Sequence, residues 1–119
     1  MVVVPQQLVV LVSTLSLLRD SLNYAIDAVP ENIDIAEIKR YLLGLDNVSD
    51  IHDLHVWPLS TTEVALTVHL VITDEVLSNI FLREVQQYLH DQFGIEHSTI
   101  QVECKNMDNV CMLDKNSCI

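Results

Sequence analysis

The sequence predicts an α+β domain: a three-stranded sheet with two helices on one face, preceded by an N-terminal helix. Three observations carry that expectation. Apolar residues recur at helical spacing over 35–45 and again over 77–93, strict alternation runs through 64–72, and the polar connections between these stretches are short. A chain of 119 residues fits one domain with a usable core.

Residues 1–18 are almost uncharged and apolar, apart from Pro5, Gln6, Gln7 and a few hydroxyls. No Lys or Arg opens the stretch and no small-residue cleavage site closes it, which argues against a signal peptide. A membrane-spanning helix needs about 20 mostly apolar residues; the clean run at 8–18 is shorter and would suit the end of one. The spacing supports a second reading. Leu8, Leu11, Leu15, Leu18, Leu22, Ala25 and Val29 recur at alternating steps of three and four, an apolar seam for a partner helix. Membrane helices carry such seams too, so both readings stand. Pro30 is expected to end the segment, because the residue before a proline is pushed out of helical geometry. The expected divisions are an apolar helix at 1–30, a domain at 31–104 and a mobile cysteine-containing tail at 105–119.

Asp34 stands as a helix N-cap with Glu37 three residues on, the pattern of a reciprocal capping box. Ile35, Ile38, Leu42 and Leu45 form the stripe to be buried, and Gly44 can stop the helix. Residues 48–59 are rich in β-branched and aromatic side chains, with Pro58 limiting any continuation as a central strand. After the short turn at Ser60, Thr61 and Thr62, alternation places Val64, Leu66, Val68, Leu70 and Ile72 on one face and Ala65, Thr67, His69 and Val71 on the other. So short a connection predicts an antiparallel hairpin. Thr73 or Asp74 is expected to cap the next helix, whose stripe is Leu77, Phe81, Val85, Leu89 and Phe93 and whose end is Gly94. A last strand at 98–103 sets Ile100 and Val102 opposite Thr99, Gln101 and Glu103.

The formal net charge of −11 repels phosphate backbones, which argues against nucleic acid and is compatible with cations. Cys104, Cys111 and Cys118 are an odd set, spaced more widely than the ligands of closed zinc sites; they predict neither a disulfide framework nor such a site. There is no Gly-rich phosphate loop, no nucleophile elbow and no triad that the pattern converges, so the chain is not expected to be an enzyme.

The chemistry gathers around 52–57, HDLHVW, which holds two of the five histidines and the only tryptophan. His52 and His55 differ in strand parity, so a regular strand cannot turn both to one face. In an antiparallel hairpin His52, early in the first strand, comes near His69, late in the second; Glu103 joins them if the third strand borders them. A strand histidine is more often structural than a ligand, and Trp57 is best read as packing. Two imidazoles and a carboxylate nevertheless suit Zn(II) with one coordination position left over.

The stretches 48–57 (VSDIHDLHVW), 65–71 (ALTVHLV) and 94–103 (GIEHSTIQVE) together resemble the cytoplasmic C-terminal domain of the cation diffusion facilitators, the zinc, cadmium and cobalt efflux transporters. Residues 17–31 resemble the junction of that family's last transmembrane helix with the domain. The resemblance implies a metallochaperone-like (ferredoxin-like) αββαβ fold, a V-shaped homodimer, and divalent-cation ligands at His52, His69 and Glu103, with His97 a further candidate near the boundary with the membrane domain. It implies Zn(II), or Cd(II) or Co(II), as the bound ion, and regulation of transport by a cation that bridges or stiffens the dimer arms. A metal-independent dimerisation module of the same transporter is the alternative. The family's membrane transport site has no counterpart here, so the chain is expected to be a truncated transporter or an excised cytoplasmic domain. In that reading it would not transport alone; in the full-length protein, residues 1–30 would be the remnant of the last transmembrane helix and hold the domain at the membrane.

Overall fold

The computed structural model describes residues 3–73 and 78–105. They form α1 (Gln6–Ala25), α2 (Ile35–Leu43), β1 (Val48–Pro58), β2 (Val64–Ile72), α3 (Asn79–Phe93) and β3 (His97–Cys104). The α+β architecture and the order helix, strand, strand, helix, strand after the first helix are as predicted.

Capping sets the helix ends. Asp34 Oδ1 accepts from the backbone N–H groups of Ala36 and Glu37, at 2.8 and 3.3 Å. The return bond from Glu37 is not among the hydrogen bonds of the described residues, so one half of the expected box is formed. The expected cap at Thr73 or Asp74 is corrected: Ser78 caps α3, its hydroxyl accepting from Phe81 N–H, and Asp74 and Leu77 lie outside the described residues. Ser78 satisfies one orphan donor of the first turn, which the apolar stripe could not reveal. Gly94 ends α3 at φ +66, a left-handed position where a residue with a Cβ would be strained.

The sheet runs β1-β2-β3, with β1 antiparallel and β3 parallel to β2. Parallel pairing needs a long crossover, and α3 supplies it. Strand β2 is therefore central, and its Leu66, Val68, Leu70 and Ile72 are almost wholly buried. Ile38 and Leu42 of α2 and Val85 and Leu89 of α3 complete this core. Each such side chain stabilises the fold by about 1.5–3 kcal/mol relative to exposure. Tyr41 of α2 stacks on Tyr88 of α3, with ring centroids 3.9 Å apart, which ties the two helices over the sheet.

Helix α1 buries none of its residues, and Leu8, Leu11, Leu15, Leu18 and Leu22 are all exposed. It ends at Ala25, earlier than the predicted stop at Pro30, because Asp27 turns left-handed at φ +51 after the Ile26 C-cap. Arg19 and Glu31 pair across the junction; both are exposed, so the pair contributes at most about 1 kcal/mol. No helix among the described residues is long and apolar enough to cross a membrane.

A bulge in β1 overturns the expected separation of His52 and His55 onto opposite faces. His52 pairs with His69 and His55 with Thr67, so Asp53 and Leu54 together oppose Val68. The extra residue returns His55 to the face that His52 occupies, since residues paired across a ladder share a face. It also lets Ile51 and Val56, five positions apart, both enter the core. Asp53 absorbs the irregularity at φ +51, a conformation Asp tolerates better than most residues.

Candidate metal centre

The helix-free face of the sheet carries the polar residues that alternation turns away from the core. His52 on β1, His69 on β2 and Gln101 on β3 lie side by side in register, and Glu103 is one open-face step further along β3. The Glu103 carboxylate reaches back over both histidines: Oε2 is 3.1 Å from His52 Nε2 and Oε1 is 3.1 Å from His69 Nδ1. Gln101 Nε2 donates to Oε1 at 3.3 Å and steadies it. The two imidazoles meet edge to face, with centroids 4.9 Å apart. One donor atom from each of His52, His69 and Glu103 lies within 4.8 Å of the others, and all three residues are half-buried.

The predicted trio therefore meets in space. His97 does not join it; it pairs with Ala65 at the opposite end of β3 and faces Glu63 at 3.9 Å. His55 shares the open face but stands exposed and outside the group. Cys104 is half-buried against the core, and Cys111 and Cys118 lie outside the described residues. Sequence reasoning missed Asp53. Its Oδ2 lies 3.4 Å from His52 Nδ1 and 3.6 Å from His69 Nδ1, a placement that depends on the bulge. The one signal in the sequence was that Ile51 and Val56 are both strongly apolar yet of opposite parity.

Electrostatics at His52 oppose one another. Burial is the largest single influence and lowers its pKa, but hydrogen bonds and charge from Asp53 and Glu103 outweigh it, so the pKa is raised above 6.5. In the metal-free protein the folded-state pKa then exceeds the unfolded value. The resulting stabilisation is fully present below about pH 6.5 and is lost as pH rises through the raised folded pKa. The stability difference between the parent and His52→Gln, measured by urea unfolding in chelator, should shrink as pH is raised through that window. A difference that grows with pH would contradict the assignment.

Residues 30–105 match the cytoplasmic domain of the cation efflux proteins. The chain belongs to that family. Cation efflux relatives include the metal cation efflux system protein CzcD of Cupriavidus metallidurans, 40% identical over 103 residues, which cover 83% of this chain and 33% of that protein. The cadmium, cobalt and zinc/H(+)-K(+) antiporter of Bacillus subtilis is 34% identical over 110 residues, covering 88% of this chain and 35% of that protein. The chain thus spans about a third of the length of these cation efflux proteins. Among solved structures, the metal-bound C-terminal domain of the CzcD transporter is 40% identical with a TM-score of 0.53, covering 60% of this chain and 99% of that one. The resemblance to the cation diffusion facilitators and their metallochaperone-like domain holds for both sequence and fold.

Proposed function

We propose that this cation efflux domain binds a divalent cation of the zinc type through His52, His69 and Glu103, and pairs with a second copy to regulate transport. The observation that carries the reading is the convergence of two imidazoles and one carboxylate from three strands. The donor set fits the ion. Zn–N bonds of about 2.0–2.1 Å place neighbouring donors of a tetrahedron about 3.3 Å apart. One donor atom from each of His52, His69 and Glu103 lies within 4.8 Å of the others, so the three side chains would draw in to reach that spacing around an ion. Imidazole with carboxylate suits Zn(II), and also Co(II) or Cd(II), better than Mg(II) or Ca(II), which favour all-oxygen shells. When bound, the cation would cross-link β1, β2 and β3 on the face that no helix covers. It can bias a transporter only by binding one arrangement of the domains more tightly than another.

Helix α1, with its apolar residues exposed, fits the segment that leads from the membrane part of a transporter into this domain. Its full exposure also favours the second reading, a dimerisation module that works without metal. Zinc content, stoichiometry and solution mass, measured before and after chelation, separate the two. The metal reading expects bound zinc in the parent, little in His69→Ala, and a higher melting temperature with the ion; a ligand at 100 times its Kd stabilises by about 2.7 kcal/mol. Dimer mass and melting temperature unmoved by chelator would leave only the metal-free module.

A further inference from the structure

We propose that Asp53 is a positioning residue: from the β1 bulge, its carboxylate holds the Nδ1–H of His52, so that His52 presents Nε2 to the cation beside Glu103 and His69. This rests on the metal reading above and names a residue outside its ligand set. The two ring nitrogens of His52 are divided between two carboxylates. Nδ1 faces Asp53 Oδ2 at 3.4 Å and Nε2 faces Glu103 Oε2 at 3.1 Å. A neutral imidazole has one N–H and one lone pair, and a cation takes the lone pair. Nε2 is the nitrogen beside Glu103, so the proton belongs on Nδ1, where Asp53 accepts it. A carboxylate behind a ligating histidine fixes its tautomer and ring orientation and raises its basicity.

The bulge gives an independent reason. If residue 53 were absent, His52↔His69 and His55↔Thr67 would still pair as they do now, with Leu54 alone opposite Val68. That ladder would be regular and would send the same side chains to the core. Without residue 53, Ile51 and Val56 would stand four apart and still share the core face, so the extra residue adds no side chain to the core, yet it interrupts the ladder and holds a non-glycine backbone at φ +51. What it provides is a carboxylate within 3.6 Å of both histidines. Direct ligation fits less well, because the donor group with mutual spacings within 4.8 Å is made by His52, His69 and Glu103.

Zn(II) titration of the full chain tests this with two substitutions that both suit a left-handed backbone. Asp53→Gly removes the carboxylate and suits the left-handed backbone; it should weaken Zn(II) binding about 10–100-fold, with the metal-free melting temperature unchanged or raised at a pH well above the His52 pKa, where the stabilisation from protonated His52 is absent. Asp53→Asn keeps a carbonyl acceptor and should recover most of that loss. Imidazole nitrogen NMR at a pH above the His52 pKa should show His52 protonated at Nδ1 in the metal-free parent and as mixed tautomers in metal-free Asp53→Gly. Parent-like affinity in Asp53→Gly, an equal loss in Asp53→Asn, or an unchanged tautomer would each overturn the assignment. His52→Ala separates the two levels. If it binds zinc like the parent, the metal reading fails; if it loses zinc while Asp53→Gly does not, only the role of Asp53 fails.

Discussion

Glu103→Gln is expected to weaken Zn(II) binding by at least about 100-fold while leaving the metal-free fold intact. Changes to groups behind a metal ligand already cost about 10–100-fold, so loss of a ligand itself should reach or pass the upper end. Glu103 contacts both histidines, one through each carboxylate oxygen, and it alone brings β3 into the group. The amide keeps the size of the side chain but replaces one oxygen donor and removes the negative charge that offsets the cation. Half-buried surroundings make that charge worth more than it would be in water. Isothermal titration with zinc, beside a melt of the chelated protein, reads both parts. Retention of parent affinity would remove Glu103 from the site.

Leu70→Ala should destabilise the domain by about 2–5 kcal/mol, through lost burial and the cavity left behind. Leu70 lies on the central strand, is wholly buried, and is flanked by Ile51 on β1 and Val102 on β3, so little can collapse into the space. With about 4–8 °C lost per kcal/mol in a domain of this size, the melting temperature should fall by about 10 °C or more. Leu15→Ala is the contrast. Its side chain in α1 is exposed, so the change should stay within about 0.5 kcal/mol. Comparable losses from both substitutions would mean that α1 packs on the domain in solution.

Much of this was legible because local rules dominate locally. Alternation through β2 put Val64, Leu66, Val68, Leu70 and Ile72 on one face; the last four are buried, Val64 at the strand's start is half-buried, and Ala65 is the one residue of the other face that is buried too. Helical spacing found α2 and α3, and a polar residue ahead of a helical stripe found the Asp34 cap. The same rules misplaced the start of α3 because Asp74 and Ser78 are both plausible caps, and only the fold shows that Ser78 serves. They placed the end of α1 too late, since a proline marks where a helix cannot continue and not where an exposed one stops.

The sequence by itself determined the element order and most of the core, because periodicity is written along the chain, and it named His52, His69 and Glu103 as candidate ligands through residue type and the family resemblance. Only the tertiary structure decided how those three residues meet. It placed β3 parallel beside β2, so that Glu103 spans two strands to reach His52, and it inserted a bulge that turned His55 back to the open face and brought Asp53 against both histidines. The physical reason is that strand alternation is a rule of local backbone geometry. A bulge, a left-handed residue and the choice of neighbouring strand are settled by how the whole sheet pairs, and one extra residue reverses the parity of everything beyond it.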